Sequence, residues 1–172
     1  VLTGGAMLSG LPLAQAANSL TDDTIKIALI GCGGRGTGAT LQALLTQQNV
    51  KLVAMADAFR GRLDDAYKNL TAEDLTDSVG AEGSVKSRVD VPEERKYVGF
   101  DAYQKAMKHA DVVILATPPG FRPMHFAEAV AQGKQVFMEK PVAVDAPGIR
   151  KVLAAAEEAK RNRRRLERKW KS

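Results

Sequence analysis

Short apolar runs alternate with longer amphipathic stretches along the chain from residue 24 onward. The apolar runs are typical of strands buried in a parallel sheet, and the stretches between them have the apolar spacing of helices. Strands are predicted at residues 25–30, 51–56, 97–100, 111–116 and 135–138, and helices at residues 36–47, 60–70, 102–109, 122–132 and from 147 to about 160.

Local signals support several of these boundaries. Asp101 is a plausible N-cap, Pro118 must end the strand before it because proline donates no ladder hydrogen bond, and Gly133 closes a helix. Pro147 suits the first turn of the last helix. Residues 71–95 are polar and without period, which predicts a surface excursion with a short helix.

Strands separated by helices of this length imply a parallel sheet with right-handed crossovers and helices on both faces. The predicted fold class is therefore α/β, with a Rossmann-type doubly wound parallel sheet. A composition of 45% hydrophobic and 26% charged residues with a single cysteine agrees with a globular domain. It excludes disordered, collagen-like and disulfide-stapled chains.

The net charge of +5 is concentrated at one end of the sequence. Residues 160–172 contain eight lysines or arginines and one acid, whereas the rest of the chain carries 17 basic and 19 acidic residues. Such a tail either binds nucleic acid or an anionic membrane, or it has no binding role and is a solvated helix end or the residue of a truncated or frame-shifted gene. With one aromatic residue, Trp170, and no recognition motif, the interpretation without a binding role is favoured, so neither a nucleic-acid nor a membrane partner is predicted.

The first 13 residues are apolar and uncharged, and Ala14-Gln15-Ala16 follows them. This order is typical of the end of a secretory signal peptide, and the run is too short to span a bilayer. A disordered N-terminal arm is the alternative. The first interpretation predicts a periplasmic or secreted protein, and the second leaves the cytoplasm open.

A glycine-rich loop, GCGGRG, directly follows the first predicted strand. In a dinucleotide-binding loop of this form, Gly31 permits the tight turn, Gly33 lets the backbone approach a pyrophosphate, and Gly36 allows close packing of helix on strand. The phosphates are expected on backbone N–H groups at the helix N-terminus, where Gly34 and Arg35 lie.

Asp57 lies 21 residues after Gly36, at the end of the second predicted strand. A carboxylate there accepts hydrogen bonds from the adenosine ribose hydroxyls and repels a 2′-phosphate, so NAD is predicted in preference to NADP. Arg60 lies within reach of a phosphate and keeps NADP as the alternative. Cys32 is interpreted as a small buried filler, because no histidine partner is near it.

Three further segments accompany this loop: ATPP at residues 116–119, Met124-His125, and GKQVFMEKP at residues 133–141. Together with the glycine loop they resemble the nucleotide-binding half of the Gfo/Idh/MocA oxidoreductases, the family of glucose–fructose oxidoreductase and inositol dehydrogenase. The resemblance runs from about Ile25 to Lys160, and its E-K-P element is the most specific part. It implies hydride transfer between a nicotinamide and a sugar or polyol hydroxyl.

The resemblance also implies roles for the E-K-P residues. Lys140 is expected to contact the cofactor and the substrate hydroxyl and to act as the catalytic acid/base, Glu139 to help orient the cofactor site, and Pro141 to follow a cis peptide. A lysine that is partly desolvated near another cation has a lowered pKa suited to this task. The alternative for Lys140 alone is a surface lysine after a strand.

The preceding turn also matches the family. Thr117, Pro118 and Pro119 correspond to the turn that lines the cofactor near its nicotinamide ribose. His125 matches a histidine at the start of the next helix, where cofactor contact and a packing or capping role both remain open. His109 lies at a helix end without a motif and is expected to be solvated, and no metal site is predicted.

Beyond the last helix the family continues with a sixth strand and an antiparallel-sheet substrate domain, whereas here the basic tail begins at about Arg161. The expected organisation is an export-signal remnant or arm at residues 1–21, a dinucleotide-binding domain at 22–160 and a basic tail at 161–172. The chain alone is expected to bind NAD weakly and to turn over no substrate, because hydride transfer needs both halves. A non-catalytic nucleotide-binding module and a family member that uses bound NAD for glycoside cleavage are the alternatives.

The glycine loop GCGGRGTGA and the export pattern are also similar to a secreted bacterial branch of the family that uses the twin-arginine route. No twin arginine occurs within residues 1–21. Export by that route therefore rests on the resemblance. Substrate identity and oligomeric state are not predicted.

Overall fold

The structure is a computed structural model that describes residues 23–72 and 84–169. Its strands are β1 (Ile25–Ile30), β2 (Val50–Asp57), β3 (Lys96–Val98), β4 (Val112–Leu115) and β5 (Gln135–Met138). Its α-helices are α1 (Gly34–Leu44), α2 (Arg60–Leu70), α3 (Ala102–Met107), α4 (Arg122–Ala131) and α5 (Ala146–Lys169). Two short 3-10 helices, Val85–Arg88 and Glu93–Arg95, precede β3.

The five strands form one parallel sheet in the order β3-β2-β1-β4-β5. The chain adds strands on one side of β1 and then crosses to its other side at β4. This is the doubly wound order, and it opens a crevice between the ends of β1 and β4. The predicted α/β fold class with a Rossmann-type parallel sheet is confirmed.

Consecutive residues of β1 face opposite sides of the sheet and belong to two different core clusters. Leu29 packs with Leu44 of α1 and Leu63 of α2, whereas Ile30 packs with Met107 of α3 and with other residues of the second face. Because both faces of a central parallel strand are covered, its sequence is apolar throughout. This two-sided burial leaves the strand ends as the open part of the sheet.

Several element boundaries differ from the prediction. Helix α1 begins two residues earlier and ends three residues earlier than predicted, and α3 ends at Met107. Asp101 occupies the N-cap position of α3 but makes no capping bond there, and its carboxylate lies 3.3 Å from the Lys105 ammonium. Helix α5 does not end near Lys160 but continues to Lys169, because the basic segment contains good helix formers and no glycine or proline.

The segment before β3 is not a simple surface excursion. Val85 and Val91 are buried in the core, and Val89 forms an isolated bridge with Leu52 of β2. The Arg88 guanidinium donates hydrogen bonds to backbone carbonyls at the end of α1, including that of Leu44 at 2.9 Å. Scattered valines among polar residues carry no period, which is why the sequence pattern did not show this packing.

Some predictions fall on residues outside the described ranges: the N-terminal arm or export signal at residues 1–21, and Trp170. Within residues 23–72 and 84–169, no helix combines the length and the apolar character needed to cross a bilayer.

Candidate functional site

The carboxyl ends of β1, β2 and β4 surround a cavity of about 550 Å³. Its wall is formed by the glycine loop after β1, the loop between β2 and α2, the start of α3 and the turn between β4 and α4. Open parallel sheets bind ligands in this position, outside the strand ends at the switch point. The volume lies within the range of small-molecule sites.

The glycine loop is packed too closely for side chains at two positions. Gly31 has φ +96°, and a Cβ there would lie 2.7 Å from the backbone nitrogen of Thr117. A Cβ on Gly36 would collide with the carbonyl oxygen of Gly31. The Cβ position of Gly33, by contrast, is 3.5 Å from the Arg62 guanidinium at the cavity, and Gly34 faces open space. The loop thus presents bare backbone to the cavity.

Asp57 is the last residue of β2 and lines the cavity. Its Oδ2 accepts a hydrogen bond from the backbone N–H of Cys32 at 2.7 Å, and its Oδ1 accepts one from that of Phe59 at 2.9 Å. Because a carboxylate has about four lone-pair sites, both oxygens keep capacity for ligand hydroxyls. The carboxylate therefore orders the loops at the cavity rim and remains able to accept more hydrogen bonds.

Cys32 is 4% exposed, and its thiol lies 3.5 Å from the carbonyl oxygen of Ala56. Burial, with the nearby Asp57 carboxylate, raises the pKa of the Cys32 thiol. A buried neutral thiol is a poor nucleophile, which agrees with the interpretation as a filler.

The two arginines after β2 have different surroundings. The Arg60 guanidinium pairs with Asp64, with Nε 2.9 Å from Oδ1, and also with Glu93. Arg62, one half-turn later in α2, lines the cavity instead. Arg62, which the sequence analysis missed, is therefore the arginine of α2 that lies at the cavity, and Arg60 is absent from the cavity wall.

Three phenylalanines at the cavity were also missed. Phe59, Phe100 and Phe121 are 63%, 71% and 41% exposed, and the rings of Phe100 and Phe121 have centroids 6.1 Å apart. Grouped apolar side chains at a surface mark a binding groove more often than isolated ones do. The available signal was a phenylalanine in each of the loops that follow β2, β3 and β4.

His125 connects α4 with the turn after β4. Its Nδ1 lies 3.1 Å from Oγ1 of Thr117, and its ring lies 4.1 Å from that of Tyr103 between centroids. The imidazole is 5% exposed yet lines the cavity, as Thr117 and Pro118 do, whereas Pro119 is absent from the cavity wall. His125 thus packs against the turn and also faces the cavity.

Desolvation lowers the pKa of His125 to about 4, so we expect a neutral imidazole at pH 5. The unfolded chain, with an ordinary histidine pKa of 6.5, binds the additional proton between pH 6.5 and 4. The free energy of unfolding should therefore fall by about 3 kcal/mol from this group as the pH drops through that window. NMR titration of both imidazoles, assigned with a His109→Gln variant, measures this, and a His125 midpoint near 6.5 would contradict it.

His109 is exposed at the end of α3, as expected, and its Nε2 lies 2.8 Å from the Tyr97 hydroxyl. The two rings stack with centroids 5.9 Å apart. This contact lies away from the residues of the 550 Å³ cavity.

The E-K-P residues follow β5 beside the cavity. The Glu139 carboxylate is buried and lies 2.7 Å from Nη2 of Arg35, and this guanidinium holds the pKa of Glu139 below its ordinary value. Lys140 is exposed, and its bond to Pro141 is cis, as the resemblance implied. Arg35, Glu139 and Lys140 are absent from the wall of the 550 Å³ cavity. The described residues thus do not supply the desolvation expected for an acid/base lysine.

Arg122 is a further residue that the sequence analysis missed. It lies in the first turn of α4, is 6% exposed and lines the cavity. Its Nε donates to the carbonyl oxygen of Thr117 at 2.7 Å, and its Nη1 donates to those of Glu139 at 2.7 Å and Pro141 at 2.6 Å. Helical periodicity placed Arg122 in α4, but a charged residue is not predicted to be buried.

The site agrees with a comparison to known protein families. The model of an oxidoreductase family with an NAD-binding Rossmann fold, Gfo/Idh/MocA, matches residues 25–163. The chain belongs to this family. No curated protein sequence matches the chain.

Solved structures of similar fold include two dehydrogenases and a ketoreductase, of which the WlbA and KijD10 structures contain a nicotinamide nucleotide and the scyllo-inositol dehydrogenase structure is the apo form. The WlbA dehydrogenase from Chromobacterium violaceum, in complex with NADH and UDP-GlcNAcA, is 26% identical with a TM-score of 0.57 over 82% of this chain and 34% of its own. Scyllo-inositol dehydrogenase from Lactobacillus casei is 26% identical with a TM-score of 0.54 over 81% and 35% of the two chains. KijD10, a 3-ketoreductase from Actinomadura kijaniata in complex with NADP, is 22% identical with a TM-score of 0.52 over 79% and 36%.

The described chain thus spans about a third of the length of these three structures. The nucleotides in two of them are NADH and NADP, and the family's Rossmann fold is NAD-binding. The prediction of a nicotinamide dinucleotide as the cofactor is confirmed. The secreted branch of the family stays a prediction.

Proposed function

We propose that this chain is the cofactor-binding part of an NAD-dependent Gfo/Idh/MocA oxidoreductase that acts on a sugar or polyol hydroxyl. The observation that carries the proposal is the cavity at the switch point, with bare glycine backbone on one side and the Asp57 carboxylate at its rim. These groups fit a dinucleotide because a pyrophosphate needs close backbone approach and a ribose needs a hydrogen-bond acceptor.

In this proposal the backbone N–H groups at the start of α1 bind the pyrophosphate, and Arg62, which lines the cavity, supplies positive charge. Asp57 accepts hydrogen bonds from the adenosine ribose. The exposed rings of Phe59 and Phe100 provide flat apolar surface for the adenine. The dinucleotide, when bound, supplies the nicotinamide that accepts or donates hydride.

The turn between β4 and α4 forms the wall at the other half of the cavity. Thr117 and Pro118 lie there, and the neutral His125 ring, which also lines the cavity, is hydrogen-bonded to the Thr117 hydroxyl. Their proposed role is to position the nicotinamide ribose. An uncharged imidazole leaves this wall without additional positive charge.

Lys140 is proposed as the acid/base group whose Nζ takes the substrate hydroxyl proton during oxidation and returns it during reduction. The adjoining Glu139 carboxylate, paired with Arg35, links this lysine to the start of α1. Glu139 thereby connects the proton-transfer group to the dinucleotide-binding loop. Because Lys140 is exposed among the described residues, the remaining parts of the substrate wall are proposed to lie elsewhere in the full enzyme.

A titration of the chain with NADH and with NADPH, followed by nucleotide fluorescence, tests the proposal. We expect the NADH fluorescence to be enhanced on binding and to saturate, and we expect NAD⁺ to reverse the enhancement by displacing NADH. Absence of binding by both nucleotides would overturn the proposed function. Displacement by NAD⁺ separates a specific site from surface adsorption.

Arg62→Ala is expected to weaken both NADH and NADPH by about threefold to tenfold, because one exposed charge-assisted contact to phosphate is lost. The matched variant Arg60→Ala should leave both affinities unchanged, since that guanidinium pairs with Asp64 and Glu93. The same fluorescence titration measures both variants. A larger loss of nucleotide affinity in Arg60→Ala than in Arg62→Ala would show that Arg60, and not Arg62, contacts the phosphate.

A further inference from the structure

The buried Arg122 guanidinium joins two segments that are distant in sequence. One is the turn after β4, through the carbonyl oxygen of Thr117 at 2.7 Å. The other is the segment after β5, through the carbonyl oxygens of Glu139 and Pro141 at 2.7 and 2.6 Å. Glu139 and Pro141 are the residues immediately before and after Lys140.

Burying a guanidinium costs free energy, and short hydrogen bonds must offset that cost. The hydrogen bonds that Arg122 donates to Thr117, Glu139 and Pro141 all go to backbone carbonyls, and they constrain the positions of these carbonyls directly. The planar fork of arginine suits this task, because its donors leave in set directions that one ammonium group cannot reproduce. The guanidinium therefore constrains backbone geometry on both sides of Lys140.

We infer that Arg122 is a positioning residue that holds Lys140 in a defined orientation relative to the cofactor cavity. Because the carbonyl groups on both sides of Lys140 are held, the direction in which its Cα–Cβ bond leaves the chain is held as well. Arg122 also lines the cavity and binds Thr117, so it relates Lys140 to the wall proposed for the nicotinamide ribose. The inference rests on the proposed role of Lys140 as the acid/base.

A second anchor limits how far the effect of an Arg122 substitution should spread. The Glu139 side chain is ion-paired with Arg35 from the start of α1, whereas the hydrogen bond from Arg122 goes to the backbone carbonyl of Glu139. The backbone N–H of Glu139 donates to the carbonyl oxygen of Leu115 at 3.0 Å, just where the segment leaves β5, so this is the sheet hydrogen bond that loosening of the segment should weaken first. Loss of Arg122 should therefore loosen the segment around Lys140 without unfolding the sheet.

Amide hydrogen exchange, measured on the chain without nucleotide, tests the structural part of the inference. The variants are Arg122→Gln and Arg122→Lys. The control is Arg150→Gln, which alters an exposed residue of α5. The probes are the N–H groups of Glu139 and Phe121, and the reference is that of Gly31, which donates to Ala56. Exchange at the probes should rise about tenfold or more in both Arg122 variants, because hydrogen bonds from a charged donor are lost. It should not change at Gly31.

The reactivity of Lys140 tests the positioning role itself. Acetylation by N-hydroxysuccinimidyl acetate, followed by peptide mass spectrometry, reports access to its Nζ with and without saturating NADH. In the wild type, NADH should slow acetylation of Lys140. In Arg122→Gln and Arg122→Lys that protection should be lost, while NADH still binds and Arg150→Gln keeps the wild-type protection.

The outcomes separate this inference from the proposed function. Unchanged exchange at Glu139 and Phe121, an equal rise at Gly31, or wild-type protection of Lys140 in Arg122→Lys would each overturn the positioning role. Failure of the wild type to bind NADH would overturn the proposed function, and the nucleotide-free exchange would still decide whether Arg122 holds the segment. If Arg122→Gln does not fold, Arg122→Lys, which keeps the charge and most of the stem, carries both measurements.

Discussion

Gly36→Ala is expected to lower the free energy of unfolding by about 3 kcal/mol or more, since it inserts a methyl group into space that backbone already occupies. The added Cβ would collide with the carbonyl oxygen of Gly31 and lie 3.1 Å from the Cβ of Ala116. A carbonyl oxygen cannot move aside as a flexible side chain can. The start of α1 would have to separate from β1, and with it the backbone groups proposed to bind the pyrophosphate.

Gly38→Ala is the matched control, because Gly38 lies in the same helix and a Cβ there meets no atom within 4 Å. Removing a glycine from a helix should stabilise the chain by about 0.5–1 kcal/mol. Urea unfolding followed by circular dichroism measures both variants, with the midpoint falling in one and rising in the other at similar slope. Equal midpoints for the two variants would mean that the close helix–strand contact at Gly36 is not present in solution.

Asp57→Asn is expected to shift the preference from NADH towards NADPH by about tenfold to a hundredfold, because a charge-assisted hydrogen bond to the ribose is lost and a 2′-phosphate is no longer repelled. Asparagine keeps a carbonyl oxygen that can still accept one of the two backbone hydrogen bonds, from Cys32 or Phe59. The loop at the cavity rim should therefore stay largely formed. Fluorescence titrations with the two nucleotides give the ratio directly.

Asp64→Asn is the control for this charge change. Asp64 lies in α2 and pairs with Arg60, and both side chains are about half exposed. The Asp64→Asn variant removes the same charge from a neighbouring position outside the cavity wall. It should also leave the fold intact, because an exposed ion pair contributes at most about 1 kcal/mol to stability. In Asp64→Asn the preference for NADH over NADPH should not change. If the ratio of the two affinities is also unaltered in Asp57→Asn, then Asp57 does not make the proposed ribose contact.

The strands and helices were predictable because burial imposes a period on the sequence. The runs at residues 25–30 and 135–138 match β1 and β5, and residues 60–70 match α2. Element ends were less predictable, since they depend on contacts with other segments. The valines at 85 and 91 show the limit most clearly, because their burial comes from packing under distant elements and leaves no periodic trace.

Within the candidate site, residues that act through backbone geometry were predictable and those that act through side-chain direction were not. Gly31 has the positive φ that its turn was expected to require, and Gly36 the close contact that its spacing implied. Arg60 and Arg62 are both basic and only two residues apart in one helix. Which of them faces the cavity depends on the acids that surround them in the fold.

The sequence by itself determined the α/β class, the glycine loop at the end of β1 and the carboxylate at the end of β2, because strand period and glycine spacing are local properties. Only the tertiary structure placed Arg62 at the cavity, buried Arg122 between two turns and paired Arg35 with Glu139. Arg122 and Arg35 each meet groups that are distant in the chain and that the sheet order brings together, with Glu139 after β5 reached from the start of α4 and from the start of α1. A long charged side chain has several accessible directions, and the packed fold selects among them.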